Sequence, residues 1–440
     1  MRRYQYLLCL AICLTFTLPV FAQQGEAELM NSVEFLMQNN RYEEASDNLD
    51  KVIAKNPKNF KAHFKKASCM IGLGKFKSAI KALEKSVEAK PDFYQAYEML
   101  GNLYSQFRNA ERSVVNFEKA YEFDENIENR LLYKLEIINI LYLVNRHRFA
   151  FKHIQDAKSI IGEDNFDLNF LEAVYYNQVD QYEKTLEIME KLIKEVPTTR
   201  GNEKYFFELG YAYHNLGKYD KAKEVLKNAD GGEYKTKLFQ FTPEYYYSLA
   251  NAYFRVYEFG ESEKNLLVTL KLDPSFSKAY DLQKKLAAIK VKKSSVIETQ
   301  KKAVESEKNE EALYGKLIEL ANLQYQNGDY EEGIATLDRY LELVPKDVSM
   351  IFLKAACEYK LQQLGEATED ISKLVHNPKL AADLKVQCFF LLGLSYKNAD
   401  QLDKAQEMLK NAYKGQFKFA SVYEYNLVEK IRNAREELEK

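Results

Sequence analysis

The chain has 440 residues, 46% of them hydrophobic and 29% charged, with a formal net charge of -2. That balance excludes wholesale disorder and a nucleic-acid binder that works through bulk basic charge. Only 8 Pro and 17 Gly, with no Trp and abundant Ala, Leu, Glu and Lys, favour an all-α chain, because sheets need frequent turn punctuation.

In chain order, the first segment is unlike the rest. Arg2 and Arg3 form a basic start, Leu7 to Thr17 an apolar run, and Val20-Phe21-Ala22 a small-residue cleavage site. Residues 1–22 are therefore expected to be a signal peptide, sending the chain across the inner membrane to the periplasm or cell surface. A membrane anchor is the rival reading, but the apolar run is shorter than the roughly 20 residues a spanning helix needs, and it stops at Pro19. Cys9 and Cys13 follow Leu8 and Ile12 rather than a small residue, so no lipid anchor is expected. The widely spaced Cys69, Cys357 and Cys388 read as small buried hydrophobes, with a Cys357–Cys388 pair as the alternative if their helices are neighbours.

From there a short phrase recurs: Arg41-Tyr42-Glu43-Glu44-Ala45, Lys75-Phe76-Lys77-Ser78-Ala79, Lys218-Tyr219-Asp220-Lys221-Ala222 and Asp329-Tyr330-Glu331-Glu332-Gly333. Each opens a second helix after a turn, and its small last residue lets two helices approach closely. Prolines give a second ruler. Pro57, Pro91, Pro197, Pro274, Pro345 and Pro378 each stop an amphipathic stretch. They lie 34, 106, 77, 71 and 33 residues apart, multiples of about 34 with small insertions, the largest near Asp230-Gly231-Gly232. Pro243 follows Thr242, a good N-cap, and belongs at the first helical position.

The best copies are Tyr97, Leu100, Gly101, Tyr104, Ser113, Phe117 and Ala120, then Phe206, Leu209, Gly210, Tyr213, Gly217, Tyr219, Ala222, Leu226 and Ala229, then Gly393, Tyr396, Leu402, Ala405, Leu409 and Ala412. This pattern resembles the tetratricopeptide-repeat family, with Phe in place of Trp. The resemblance implies an alpha-alpha superhelix, a solenoid of about ten helical-hairpin repeats, starting near residues 26, 60, 94, 132, 166, 203, 243, 314, 348 and 386. The copy near 132 lacks the small residues, and its apolar run Leu135 to Val144 suits a helix buried on several sides. The expected layout is an N-terminal array with a capping helix at 23–295, a charged linker or degenerate repeat at 296–311, and a C-terminal array with a capping helix at 312–440. Lys284, Lys285, Lys290, Lys292 and Lys293 before the linker read as a solvated face or hinge.

Groups for catalysis are sparse. His63, His147, His153, His214 and His376 are scattered, no His-Glu-x-x-His or Cys-x-x-Cys run occurs, and Gly72-Leu73-Gly74-Lys75 lacks phosphate-loop spacing and falls on a turn. No enzyme activity, metal or cofactor is expected. In the family, the first helix of each repeat lines a concave groove, mainly through its second, fifth, ninth and twelfth positions. That mapping yields two clusters here: Phe207, Tyr211, His214, Tyr247, Asn251 and Phe254, then Asn322, Tyr325, Phe352, Tyr359 and Phe390. Aromatic anchors with amide side chains suit an extended peptide, although aromatic stripes at helical spacing also form core. The family's clamp for C-terminal carboxylates uses Lys and Arg beside Asn, and these places hold mostly aromatic or neutral residues, so a chaperone-tail receptor is not expected.

The expected function is a non-enzymatic scaffold in a bacterial envelope that binds peptide segments of other proteins, without nucleic acid, as part of a secretion or envelope assembly. Glycan or small-molecule binding in a tyrosine-rich cleft is one alternative. A self-associating structural scaffold is the other.

Overall fold

The computed structural model describes residues 25–144, 146–291 and 293–438. The expected signal peptide, with Cys9 and Cys13, and Lys292 lie outside them. Among the described residues there are 24 α-helices and no strand, arranged as paired antiparallel helices: an α-α solenoid. The chain divides into two compact units, Met1–Gln181 and Tyr182–Lys440.

The first unit holds α1 (residues 25–38), α2 (Tyr42–Lys55), α3 (Phe60–Gly72), α4 (Phe76–Ala89), α5 (Tyr94–Gln106), α6 (Ala110–Phe123), α7 (Ile127–Leu143), α8 (His147–Ile161) and α9 (Phe166–Gln178). The small residues act as the sequence predicts. A Cβ built on Gly101 of α5 would lie 3.0 Å from the Phe117 ring of α6, and Ser113 Oγ donates to the Gly101 carbonyl at 2.7 Å. The two helices thus meet backbone to ring with no side chain between them. The copy expected near 132 begins earlier, at Ile127, because the Asn126 side chain accepts from the Glu128 and Asn129 amides and caps the helix there. Its apolar run is split: Ile137, Ile138, Ile140 and Leu141 are buried, while Leu143 is 83% exposed.

The second unit holds α10 (Tyr182–Leu192), α11 (Glu203–Asn215), α12 (Tyr219–Leu226), the four-residue α13 (Tyr234–Lys237), α14 (Pro243–Arg255), α15 (Phe259–Leu272), α16 (Ser277–Lys290), α17 (Ser294–Ser306), α18 (Glu310–Asn327), α19 (Tyr330–Leu343), α20 (Val348–Lys360), α21 (Leu364–Val375), α22 (Ala382–Asn398), α23 (Leu402–Asn411) and α24 (Lys418–Leu438). Thr242 caps α14 by accepting from the Tyr245 amide at 3.3 Å, with Pro243 at the first helical position. The insert after α12 carries α13 and a 3-10 turn at Leu238–Phe241.

Residues 276–311 form two helices that part company. α16 buries Ala279, Leu282 and Leu286 against α15 and α14. α17 instead runs antiparallel along α18, where Gln300 Nε2 donates to the Lys316 carbonyl at 3.1 Å and the Lys293 amide to Asn327 Oδ1 at 3.1 Å. Ile297 and Val304 of α17 enter the core shared with α18.

Beyond α18 the hairpins stack in order, and the last helix returns to an earlier one. α24 and the Gly415–Phe417 turn before it pack on α14. One continuous core therefore runs from Leu249 and Tyr253 of α14 through α18, α20 and α22 to Phe417 and Val428. The Tyr253 hydroxyl donates to Glu424 of α24, which also pairs with Lys397 of α22 at 2.6 Å. Within this unit, α14 to α24 make a closed circuit.

Candidate functional site

The circuit decides what the predicted groove residues touch. Tyr325, Phe352, Tyr359 and Phe390 lie on the first helices of successive hairpins, and Tyr325 and Phe352 meet the α14–α15 turn of the same chain while Phe390 meets α14 itself. The Tyr257 ring sits 5.0 Å from that of Tyr325 and 6.2 Å from that of Phe352, and the Tyr253 ring 5.8 Å from that of Phe390. Polar ties hold the turn in place: Tyr325 donates to the Tyr257 carbonyl at 3.2 Å, Lys360 pairs with Glu258 at 2.5 Å, and Gln387 donates to the Arg255 carbonyl at 2.7 Å. Tyr359 accepts from Asn398 at 2.8 Å, and Asn322 donates to the Ile318 carbonyl of its own helix at 2.8 Å. All four aromatics of this cluster are buried.

The first cluster divides. On α11, Phe207, Tyr211 and His214 are covered by the insert: the Phe241 ring lies 5.7, 6.1 and 5.0 Å from their rings, and Tyr234 reaches Phe207 at 5.0 Å. His214 Nε2 meets the Tyr246 hydroxyl at 2.8 Å, and burial pushes the imidazole pKa down to about 4. On α14, by contrast, Tyr247, Asn251 and Phe254 are half-buried and line an open cleft of about 520 Å³.

Three elements build that cleft. α14 supplies the aromatic wall and Arg255, α16 supplies Lys278, Asp281 and Lys285 one and two turns apart, and α22 supplies Gln387. Packing of Leu282 against α15 fixes which face α16 turns to the cleft. Among the described residues neither Arg255, Lys278 and Lys285 nor Asp281 makes an ion pair, which leaves three cationic groups against one carboxylate. The Tyr247 hydroxyl is held protonated, since burial raises its pKa, Asp281 raises it further and Arg255 opposes them. The site can thus offer apolar faces, amide and phenol hydrogen bonds, and net positive charge, as recognition of a peptide requires.

Sequence reasoning missed Arg255, Tyr257, Lys278, Asp281 and Gln387 as site residues, and assigned Lys285 to a solvated face. The spacing of Lys278, Asp281 and Lys285 does mark one face of a helix, but only packing shows what that face borders. Burial pushes the Cys357 and Cys388 thiols up to about 12, and both are free. Among the described residues no group of His, Cys, Asp and Glu is placed to hold a metal ion, and no helix is long and apolar enough to cross a membrane.

Known proteins share the repeat. Three family models of the tetratricopeptide repeat match, one at residues 36–103, one at 94–127 and 203–231, and one at 318–379. The Hsp70-Hsp90 organizing protein of wheat, Triticum aestivum, is 23% identical over 139 residues, which cover 32% of this chain and 24% of that protein. The chain therefore spans about a quarter of the length of that curated relative. Among solved structures, YrrB, a tetratricopeptide-repeat protein with an unusual peptide-binding site, aligns at 18% identity over 41% of this chain and 90% of its own, with a TM-score of 0.34. A tetratricopeptide-repeat protein from Parabacteroides merdae aligns at 15% identity over 60% of this chain and 99% of its own, with a TM-score of 0.32. Tetratricopeptide-repeat proteins generally mediate protein–protein interactions and are typically non-enzymatic. The matched segments and the paired helices that underlie them make the chain a carrier of tetratricopeptide repeats.

Proposed function

We propose that the chain is a non-catalytic interaction module that holds a peptide segment of another protein in the cleft between α14, α16 and α22. One observation carries this reading: Tyr247 and Phe254, which pack on Phe276 and Phe259 on one side, stay half-exposed with Asn251 to a cleft whose rim bears the unpaired Arg255, Lys278 and Lys285, while Tyr325, Phe352, Tyr359 and Phe390 are buried. An aromatic wall supplies contact area at low entropic cost, and the cations add attraction for acidic groups. The wheat relative's name, an organizing protein of two other proteins, supports binding at the level of the repeat.

A photoreactive phenylalanine in place of Phe254 is expected to crosslink a partner in the native host, and one in place of Tyr325 is not. The double variant Tyr247→Ala/Phe254→Ala is expected to weaken recovery of that partner by about tenfold or more. Unchanged recovery with unchanged melting would sink the proposal.

The location we propose is the bacterial envelope, on the strength of Arg2, Arg3, the apolar run and Val20-Phe21-Ala22. N-terminal sequencing of the chain from fractionated cells is expected to read from Gln23 in the envelope fraction. A chain that keeps Met1 in the cytosol would overturn it.

A further inference from the structure

In the regular hairpins, the small residue on the first helix is where the second helix lands. A Cβ on Gly210 would lie 2.5 Å from Leu226, and one on Gly393 would lie 2.7 Å from Leu409. In α14 the same position is Ala250, whose carbonyl accepts from Ser262 Oγ of α15 at 2.7 Å. One repeat of 34 residues further on, the position is Lys284 of α16, and the apolar Leu249 before it is matched by Gln283. That face thus carries a lysine and a glutamine where the regular hairpins have a small and an apolar residue, and α17 packs on α18 rather than on it.

The place a second helix would take is accordingly a cleft of about 390 Å³ between α15 and α16. Leu266 and Leu267 of α15 and Tyr280 and Ala287 of α16 line it. Leu267 is 51% and Tyr280 43% exposed, large values for side chains of this size on one seam. An ion pair between Lys290 and Glu263 at 2.5 Å bridges the two helices at the rim. Lys284 makes no ion pair among the described residues. This surface is separate from the cleft proposed above, which borders the opposite side of α16.

We propose that the seam between α15 and α16 docks an amphipathic helix of another protein, antiparallel to α16, in the place of the missing second helix. Register sets its direction, since every regular hairpin pairs its helices antiparallel. Lys284 sets its chemistry: an apolar stripe on Leu267, Tyr280 and Ala287, flanked by carboxylates. Helix addition of this kind buries the apolar seam, with the docked helix set further from α16 than in the regular repeats by the Lys284 side chain.

The probe is a peptide with the sequence of α19, Tyr330–Leu343, stapled between its exposed positions Ala335 and Arg339 so that it enters as a helix. It carries an apolar stripe and Glu331, Glu332, Asp338 and Glu342. Fluorescence anisotropy with the full chain is expected to saturate with a Kd below about 100 µM. Lys284→Glu and Leu267→Glu, both at exposed positions, are each expected to weaken it at least about tenfold. Phe254→Ala, in the other cleft, is expected to leave it unchanged. A peptide with lysine at its four acidic positions is expected to prefer the Lys284→Glu chain. No saturation up to about 1 mM, or binding indifferent to Lys284→Glu and Leu267→Glu with circular dichroism unchanged, overturns the proposal. So does a dimer in sedimentation that Leu267→Glu abolishes, since the seam would then belong to a second copy.

Discussion

His214 shows what burial does to a single predicted site residue. Its ring lies against Tyr219, Phe241 and Tyr246, and burial lowers its pKa from 6.5 to about 4, so the folded state keeps it neutral. A depressed histidine pKa means that the unfolded chain takes up the proton first. The stability it contributes is complete above about pH 6.5 and is lost as pH falls towards 4, by at most about 3 kcal/mol. His214→Phe is therefore expected to flatten the fall in melting temperature between pH 7 and pH 4.5, and an unchanged slope would place the titration elsewhere. The sequence placed His214, Phe207 and Tyr211 together on one face of a first helix, as candidate groove residues, because a helix period fixes the face. It could not mark what meets them, since Tyr234 and Phe241 come from an insert with no repeat pattern.

Among the elements, the turns between paired helices share a left-handed residue: Gly74, Gly217 and Gly328 in some, Asn40, Arg108, Gln362 and Asp400 in others. Tyr257, at φ 62°, is the aromatic one among them. An L-residue there costs about 1 kcal/mol, and the Tyr257 ring offsets that cost by packing on Tyr325 and Phe352. Tyr257→Gly is thus expected to destabilise the chain by about 1–2 kcal/mol, whereas Gln362→Gly, at an exposed turn, is expected to stabilise it by about 0.5–1 kcal/mol. Urea midpoints decide it, and the same sign for both changes would refute the account. The helices of the regular hairpins were legible, because the signature residues and the prolines agree, but α13 and α17 were not; the helix starts at Ile127, Glu310 and Ala382 fall four to five residues ahead of the expected 132, 314 and 386. Asn126 and Asn309, which cap two of them, carry the missed signal. The parting of α16 and α17 was half legible: Gln283 and Lys284 break the pattern, but where α17 goes depends on distant partners.

At the scale of the molecule, a repeat array is ordinarily a sum of neighbouring interfaces, and it frays from its ends. The second unit departs from this through contacts such as Tyr253 with Glu424, 171 residues apart. No periodicity in sequence announces a pair so distant, which is why nothing in the sequence showed that Tyr325, Phe352 and Phe390 meet α14 and the turn after it. Phe417, 1% exposed, joins the Phe390 ring at 5.2 Å on one side and α14 on the other. Phe417→Ala is expected to cost about 3–5 kcal/mol and to lower hydrogen-exchange protection in α14 together with α22. Loss confined to α22 and its neighbours would mean that the array is energetically open.

The return of α24 to α14 also bears on how such a chain can change over generations. An open stack lengthens by duplicating a unit at no cost to the rest, so its size drifts freely. A stack whose last helix must land on its first has a fixed perimeter. A duplicated pair between α18 and α23 would carry Glu424 away from Tyr253 and strip Phe417 from its seat. Novelty in this half of the protein is thereby channelled into substitutions on its outer faces, and its repeat number is held constant by closure.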